Sequence, residues 1–499
     1  MHTQYFQKRD DLTSATRCLI GYLVAFQNRR GLVSKLSCKY NISRRFIYNL
    51  AKKSKDLDSP SISVVDVACV SEKERSLGFI LRLRLEGNCS LESIHALMVG
   101  EGYRYNSVGF ISETLKKAGA KLGSAVVSDS VEVKKNIIYC CDEIYAKRSA
   151  VLITVEPISW AILHIELSEK CDSVSWETHW ADLKARGYEP LYVVKDEGSA
   201  LSSGHDKMFG DAGFQSDTFH GVAHRLGVEC SKLETAAYKA IAAEYQSLAL
   251  LKDTKTTISR VKRRKKYVAA KKVCKKAVEL YDNFAFLYHC LLACFQVFDK
   301  QGQLKELSKT LADFDAALEL LKEVDKGRFN KQVESITACK KDLFYFVQIA
   351  QQKVAELAKN LDKTTLQKLC LAWQTQKNYR KIKHNSHTKD ALKRKEAYLL
   401  AEIQLIEPTN FSLIQLKTYE TLDLIVQASS AVEGVNSILR PYLNNSKNNV
   451  TQEFLNLFRF YHNHRRFYAG KRKGKTPNEI LTQQVQKNQW IDILIPKIA

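Results

Sequence analysis

Apolar residues between positions 31 and 55 recur at the spacing of two short helices separated by a turn. The turn falls at 41–43, where Ser43 is a suitable N-cap for a second helix that opens on Arg44 and Arg45. A helix-turn-helix unit has this spacing, with basic residues at the start of its second helix, but so does a plain αα-hairpin. The inner faces would carry Leu32, Val33, Leu36 and Tyr40 in the first helix and Ile47, Leu50 and Ala51 in the second.

The same pattern occurs a second time between positions 90 and 119. A helix is predicted from Leu91 to Met98, followed by a turn that contains glycine, and Ser107 would cap the next helix. The stretch 56–75 between the two copies is polar, with one short apolar run of strand-like character. Two such units in tandem favour DNA binding, because a pair can contact two stretches of major groove about one helical turn apart.

From about Val131 the pattern changes to that of strands. The predicted order is three strands, an amphipathic helix, a fourth strand and a short fifth strand that runs into a helix. The first strand carries Asp142 near its middle, and the second and third are closely spaced, as in an antiparallel pair. The first four strands fall at 136–145, 149–157, 159–167 and 189–195, with the helix at 173–187, and the short fifth strand and its helix share 214–228.

The fourth strand, in the stretch "EPLYVVKDEGSAL" (189–201), ends on two acids and a glycine. Acidic residues and glycine often close strands, so the pattern has an ordinary explanation. Asp196 nevertheless falls where a parallel strand meets solvent, which is the usual position of an active-site residue in an open α/β sheet.

Strand signals are missing from about Ser231 to Leu424, where Ala, Leu, Lys and Gln recur at helical spacing. This predicts an all-α region of nearly two hundred residues. Its run "KRRKKYVAAKKVCKK" (262–276) could be a solvated helix face, but its density of Lys and Arg favours a surface that faces phosphates.

The charge of the whole chain supports a polyanionic partner. The 499 residues, enough for about three domains, include 77 Lys and Arg against 54 Asp and Glu, a formal charge of +23. Nucleic acid is the leading candidate, and an anionic membrane surface is the alternative. Hydrophobic residues make up 45% of the chain, which is ample for packed cores, and no apolar run is long enough to span a membrane.

The cysteines do not form an obvious metal motif. They number thirteen and include no Cys-x-x-Cys pair, so we expect reduced thiols in a cytosolic protein. The nearest approach to a metal cluster is His220, His224 and Cys230, which lacks a second ligand pair of zinc-site spacing.

Two further segments combine charge with apolar residues near the end of the chain. In 429–443, Glu433, Asn436 and Arg440 share one helix face beside an apolar stripe. The stretch 458–481 interleaves basic and aromatic residues, a composition that suits a strand of nucleic acid.

Asp142, Asp196 and Glu433, together with the segment "GKRKGKTPNEIL" (470–481), resemble the DDE transposases of bacterial insertion sequences. In that family, the first and fourth strands of an RNase H-like fold each give an Asp and a later helix gives a Glu. Some members have a helical insertion between the second Asp and the Glu. The resemblance covers roughly 131–481, and the N-terminal helix-turn-helix pair is compatible with it.

The resemblance implies a mixed α+β or α/β protein in which N-terminal helix-turn-helix domains precede an RNase H-like mixed sheet interrupted by a large all-α insertion. The insertion would separate the two parts of the catalytic domain, and the last part would carry the basic tail. The expected segments are 1–58, 59–122, 123–230, 231–425 and 426–499.

The implied activity is metal-dependent cleavage and strand transfer of double-stranded DNA, at the terminal repeats of the element and at its target. Asp142, Asp196 and Glu433 would hold two Mg²⁺ or Mn²⁺ ions, which stabilise the attacking and leaving oxygens of an in-line displacement. We expect a homodimer or higher oligomer in the bacterial cytoplasm, associated with the nucleoid and not with a membrane. The residues expected to bind DNA are Arg44, Arg45, Arg263, Arg264, Lys265, Lys266, Asn436, Arg440, Arg465, Arg466, Lys471, Arg472 and Lys473.

Several alternatives remain open in the sequence. The protein could be an RNase H-like nuclease such as a resolvase, or a helix-turn-helix regulator without catalysis. Asp217 is the strongest rival for the second acid, and Glu143 and Glu197 would point away from the site if the strand pleat continues. The remaining rival acids are Asp129, Asp206, Asp211, Glu420 and Glu453.

Overall fold

The fold is that of a computed structural model of the chain. The chain forms two compact units, one comprising 1–118 with 491–499 and the other 119–490. No helix in the described part of the chain is long and apolar enough to cross a membrane. The structure describes residues 12–26, 30–55, 72–128, 135–210 and 213–498.

The first unit begins with three helices, α1 (Ser14–Phe26), α2 (Leu32–Tyr40) and α3 (Arg44–Lys55). The predicted pair of helices around a turn at 41–43 is confirmed, and the Ser43 hydroxyl accepts a hydrogen bond from the Phe46 amide at 3.1 Å. These helices enclose a small apolar core that includes Ile20, Leu36, Ile42 and Ile47.

Three further helices follow, α4 (Glu72–Leu85), α5 (Leu91–Gly100) and α6 (Val108–Ser128). The Ser107 hydroxyl accepts from the Phe110 amide at 3.2 Å, so the predicted cap of α6 is confirmed. Helix α4 was not predicted, and the strand-like run expected before it lies in 56–71, outside the described residues. The boundary between the two units falls within α6.

The expectation that all thirteen cysteines are reduced is wrong at Cys18 on α1, which is disulfide-bonded. A disulfide requires two Cα atoms within roughly 4.4–6.8 Å, a proximity that spacing along the chain does not reveal. Other described cysteines, among them Cys140 and Cys141, are free thiols.

One five-stranded mixed sheet forms the centre of the second unit, with strand order β3-β2-β1-β4-β5. Strand β1 pairs antiparallel with β2, and β2 with β3, while β1 and β4 and then β4 and β5 are parallel. The predicted strands and the antiparallel pairing of the second and third are confirmed. The strands are β1 (Lys135–Ala146), β2 (Ser149–Glu156), β3 (Ala161–Ser168), β4 (Tyr188–Lys195) and β5 (Phe214–Ser216).

Two helices, α7 (Ser173–Ala185) and α8 (Ser199–Phe209), cover one face of the sheet. Alternation along β1 sends Tyr139 and Cys141 to this face, where Trp176 and Trp180 pack against them. The intervening residues of β1 therefore face the opposite side, where the later helices lie.

Twelve α-helices follow β5 in the described residues, and buried residues from those between positions 225 and 464 cover that opposite face. A π-helix at Phe219–His224 leads directly into the first of them, so the helical region begins before Ser231. These helices are α9 (Arg225–Lys252), α10 (Thr257–Cys294), α11 (Leu307–Glu323), α12 (Asn330–Leu343), α13 (Tyr345–Ala358), α14 (Lys363–Lys381), α15 (His387–Ile406), α16 (Phe411–Asp423), α17 (Ser430–Asn445), α18 (Gln452–His464), α19 (Pro477–Thr482) and α20 (Trp490–Ile498).

The helical region shares its core with the sheet. One continuous cluster of buried residues contains Ile138 of β1, Tyr192 of β4, Phe314 of α11 and Val432 of α17. The predicted helical character is confirmed in the described residues, but α9 to α16 do not pack around a core separate from the sheet. Removing them would expose apolar residues of β1 and β4.

The chain leaves the sheet and returns to it at neighbouring points. The Thr218 amide, just after β5, donates to the Gln427 carbonyl at 3.0 Å. The Tyr192 hydroxyl of β4 donates to the Leu424 carbonyl at 2.7 Å and accepts from the Val426 amide at 2.9 Å. Helix α17 is thereby brought back against β1 and β2 after about two hundred residues.

Candidate functional site

The two predicted aspartates lie on adjacent parallel strands. Cys140 of β1 pairs with Val194 of β4, and Asp142 and Asp196 each follow two positions later. Asp142 therefore lies on the same face as Cys140, which α17 covers, and Asp196 comes directly after the end of β4 at Lys195. Parallel strands are spaced about 4.8 Å apart, and Asp196 is near enough to raise the pKa of Asp142 by repulsion, after the larger effect of burial.

Helix α17 adds the third predicted acid to the same place. The Asn436 side-chain amide donates to the Asp142 carboxylate at 2.7 Å. Glu433 precedes Asn436 by three residues, so the two share a helix face. The close approach of α17 depends on Gly434, since a Cβ there would lie 2.7 Å from a ring carbon of Trp160.

His220 lies beside Glu433, with its Nε2 atom 2.5 Å from the Glu433 Oε1 atom. Burial and repulsion from Asp196 raise the pKa of Asp142, and His220 partly opposes this rise, which places the ring near Asp142 as well as Glu433. Sequence spacing had grouped His220 with His224 and Cys230, but its ligand atom lies within 4.8 Å of those of Asp217 and Glu433. The π-helix turns the ring toward α17, and helical spacing alone could not have predicted this.

Burial and like charge raise the pKa of Asp142 to about 7. Loss of solvent around the carboxyl is the main cause, followed by repulsion from Asp196 and then from Glu143. The pKa of Glu143 is raised as well, again by burial first and by Asp196 second. A cation bound next to Asp142 would offset this repulsion and stabilise the charged form of the carboxyl group.

Both carboxylate oxygens of Asp217 accept hydrogen bonds, three from backbone amides and one from a hydroxyl. One of its oxygens accepts from the Phe219 and His220 amides at 2.6 and 3.2 Å. The other accepts from the amide of Ser429 at 2.9 Å and from its hydroxyl. Asp217 is 1% exposed, and its bonds join the π-helix to the segment just before α17. It therefore positions His220 and α17, and it also borders the cleft that Asp196 lines, with a carboxylate oxygen within 4.8 Å of the ligand atoms of His220 and Glu433.

Glu197 does not point away from Asp196, as the continued pleat had suggested. Strand β4 ends at Lys195, so the alternation of sides stops there, and both acids line one cleft of about 350 Å³. Within this cleft, a Glu197 oxygen lies 3.3 Å from an Arg225 guanidinium nitrogen.

The remaining rival acids are not at this cleft or are outside the described residues. Asp206 is on α8 and lies 3.5 Å from His205. Glu420 is exposed on α16, and Glu453 is in the first turn of α18. The predicted rivals Asp129 and Asp211 lie outside the residues that the structure describes.

The donor set fits a hard divalent cation. Asp142, Asp196 and Glu433 provide carboxylate oxygens, which Mg²⁺ and Mn²⁺ prefer. The Asn436 side-chain oxygen is buried and has no hydrogen-bond partner, although the amide nitrogen of the same group is bonded to Asp142. An unpaired oxygen beside a destabilised carboxylate is what a cation or its bound water would satisfy.

The residues expected to bind DNA fall into two classes. Some are exposed: Arg44 and Arg45 on α3, Arg264, Lys265 and Lys266 on α10, Arg440 on α17, and Lys473. Others already have partners within the chain. Asn436 is 2% exposed and bonded to Asp142, so it lies inside the site rather than on an open DNA-facing surface.

The tail residues and Arg263 also make internal contacts. Arg472 donates to the Ile158 and Pro157 carbonyls at 2.6 and 2.9 Å and lies over Trp160. Lys471 pairs with Asp423 at 2.9 Å, Arg466 with Glu479 at 3.0 Å, and Arg465 lies over the Tyr461 ring. Arg263 donates to the Leu250 carbonyl at 2.8 Å, which joins α10 to the end of α9.

In comparisons with known proteins, no family model matches the chain, and no curated protein matches it either. The chemistry of the site therefore has to follow from its own geometry.

Proposed function

We propose that the protein is a DDE transposase, which cleaves DNA at the ends of its mobile element and joins them to a target by metal-dependent phosphoryl transfer. The observation that carries the proposal is the meeting of Asp142 from β1, Asp196 after β4 and Glu433 from α17. These three residues come together although more than two hundred positions separate the second from the third.

The order of the strands supports the same proposal. An RNase H-like sheet has three antiparallel strands followed by two parallel ones, and the order β3-β2-β1-β4-β5 with its pairing directions fits this pattern. In such a sheet, active-site residues lie on the central strands and at the carboxyl edge. Asp142 on β1 and Asp196 after β4 have these positions.

Asp142, Asp196 and Glu433 would hold the metal ions, with the Asn436 oxygen close to the same ions or their waters. Bound ions would supply charge stabilisation to the attacking and leaving oxygens of the phosphate. The chain's own residues orient the ligands. Asn436 fixes one oxygen of Asp142, and His220 fixes one oxygen of Glu433.

Bound DNA would extend from the cleft along the exposed basic residues. Phe219 is 45% exposed beside the cleft and could stack on an unpaired base. From the base of α9, a hairpin of α9 and α10 carries Arg264, Lys265 and Lys266 on its surface. In the first unit, α2 and α3 would act as a helix-turn-helix that binds element ends through Arg44 and Arg45. We expect two or more copies to act together on two ends.

The test is cleavage of a plasmid that carries the gene with its flanking DNA, by purified full-length protein with and without Mg²⁺. We expect cleavage by the wild type in Mg²⁺, and at least about a 100-fold loss for each of Asp142→Ala, Asp196→Ala and Glu433→Ala, because each removes a metal ligand. Gel-shift binding should persist in all three variants. Glu420→Ala, an exposed acid of the same unit, is the matched control and should cleave normally.

The products distinguish the proposal from its alternatives. Joining of cleaved ends to a second DNA molecule supports a transposase, whereas hydrolysis without joining supports a nuclease or resolvase. DNA binding without any metal-dependent cleavage would support a regulator and refute the catalytic assignment. Normal cleavage by one of the three variants would remove that residue from the site.

A further inference from the structure

A second group of metal-type side chains lies on the opposite face of the sheet, between β3 and α7. His164 and Glu166 are two positions apart on β3, on the side that faces α7. A register shift in the pairing of β2 with β3 falls just before His164, and such bulges often redirect a side chain at a sheet edge. His179 and Asp182 are three positions apart on α7, so they share one face of the helix.

The ligand atoms of His164, Glu166 and His179 all lie within 4.8 Å of one another, and Asp182 approaches the group through His164. The His179 Nδ1 atom lies 3.2 Å from a Glu166 oxygen. The His164 Nε2 atom lies 3.7 Å from the same oxygen and 3.6 Å from an Asp182 oxygen. Tetrahedral Zn²⁺ with ligand bonds of about 2.0–2.2 Å separates its ligand atoms by roughly 3.3–3.6 Å. The two histidines and Glu166 are therefore close to this spacing, and the 56% exposed Asp182 side chain would move toward the ion to complete it.

The His164 side chain provides an independent indication of a missing ligand. His164 is 7% exposed, and its Nε2 atom is buried without a hydrogen-bond partner. Buried polar atoms are satisfied in the great majority of cases, so an unpaired nitrogen aimed between two carboxylates needs an explanation. A cation at the centre of the group would satisfy it.

The surroundings of His179 match a metal ligand of fixed orientation. Its Nε2 atom lies 3.0 Å from the Thr154 hydroxyl, which is in turn 3.4 Å from the Cys141 sulfur. Metal-bound histidines usually donate their other ring N–H to such an acceptor, which leaves the first nitrogen free for the ion. Thr154 can therefore hold His179 with its Nδ1 lone pair directed toward Glu166.

Arg186 would have to move when an ion binds. One of its guanidinium nitrogens lies 3.3 Å from the His164 Nδ1 atom and 3.9 Å from an Asp182 oxygen. Ligation through the His164 Nε2 atom puts a proton on Nδ1, which would then face this donor. The Arg186 side chain is 15% exposed, and its other terminal nitrogen donates to the Leu163 carbonyl at 3.5 Å, so ion binding would have to release its contacts with His164 and Asp182.

We infer that His164, Glu166, His179 and Asp182 form a structural site for Zn²⁺ or a similar divalent transition metal, which fixes α7 to the edge strand of the sheet. Two imidazoles and two carboxylates suit Zn²⁺ better than Mg²⁺, which prefers oxygen ligands alone. The site would be distinct from the carboxylate cluster and would be filled by a different metal.

The test uses Co²⁺ as the probe on the full chain freed of metal, because tetrahedral Co²⁺ gives intense visible bands and octahedral Co²⁺ gives weak ones. We expect one equivalent of tetrahedral Co²⁺ that Zn²⁺ displaces. Glu166→Gln and Asp182→Asn should each weaken binding by more than about 100-fold, beyond the usual effect of losing an outer-shell partner. Glu177→Gln is the matched control, because Glu177 is also on α7 and its side chain is 30% exposed, as is that of Glu166.

Glu433→Gln separates this site from the carboxylate cluster and should leave the tetrahedral bands intact. Loss of the bands in Glu166→Gln and Asp182→Asn, with retention in Glu177→Gln and Glu433→Gln, supports the inference. Absence of tetrahedral bands in the wild type would overturn it. Equal binding by Glu166→Gln and the wild type would overturn it too.

Discussion

Replacing Asp142 by Asn should stabilise the metal-free protein at high pH. The folded-state pKa of Asp142 is about 7, against about 3.9 for an Asp in an unfolded chain. Between these values the folded chain binds a proton that the unfolded chain has lost, so the free energy of unfolding falls as pH rises. The loss is complete above pH 7, and the neutral amide of Asn avoids it.

The size of this difference in unfolding free energy follows from the folded and unfolded pKa values of Asp142. Each pH unit between the two pKa values contributes about 1.4 kcal/mol, which gives an upper bound of about 4 kcal/mol. The hydrogen bond from Asn436 favours the charged form of Asp142 and reduces the effect, so we expect about 2–4 kcal/mol. At pH 5, which is about 1.1 units above the unfolded pKa, the same calculation leaves a difference of at most about 1.5 kcal/mol between the two proteins.

Urea unfolding followed by tryptophan fluorescence, in EDTA at pH 5 to 8, measures this difference. The chain has five tryptophans, Trp160, Trp176, Trp180, Trp373 and Trp490, and all lie in the second unit, so the signal follows that unit. Mg²⁺ at pH 8 should stabilise the wild type more than Asp142→Asn. The same difference in stability between the two proteins at pH 5 and at pH 8 would refute ionisation of Asp142 as its cause.

Two further predictions concern the position of α17 and the role of the hairpin. Gly434→Ala should lower the unfolding free energy by about 1–3 kcal/mol, because the added methyl group overlaps Trp160 and displaces α17. The same displacement should reduce DNA cleavage. Unchanged stability in urea would contradict this prediction. Arg264, Lys265 and Lys266 can be changed together to Gln while Arg263 is kept, because Arg263 bonds across the hairpin. This variant should show a flatter log–log salt dependence of DNA binding, with a slope smaller by roughly 0.9 for each phosphate that the three side chains bind in the wild type. An unchanged slope in a filter-binding titration would make this surface a solvated helix face.

The strands and their order could be predicted because they depend on local signals. Apolar runs at 136–145 and 189–195, with an amphipathic helix between them, indicate a sheet whose first strand contains Asp142 and whose fourth strand ends at Asp196. The Ser43 and Ser107 caps were predictable for the same reason, since a helix start is encoded within four residues.

Features that depend on distant contacts could not be predicted from local patterns. The grouping of His220 with Glu433 depends on a π-helix and on the return of α17, and neither leaves a periodic signal. The orientation of Glu197 depends on where β4 ends, and boundaries are the least reliable part of a sequence prediction. The helical segment had the composition of an independent domain, yet Phe314 shares a core with Tyr192 of the sheet.

The residues of the site are far apart in the sequence, and this affects when the site can assemble during protein synthesis. Asp142 and Asn436 are bonded although 294 positions separate them in the chain. At about 5–20 residues per second, a ribosome takes roughly 15–60 s to proceed from the first of these residues to the second. After Asp196 has been added, the growing chain has two of the three carboxylates but no complete site until Glu433 follows. If the protein cleaves DNA as proposed, the helical segment would delay that activity, and a nascent chain should be unable to cut nucleic acid until α17 has emerged.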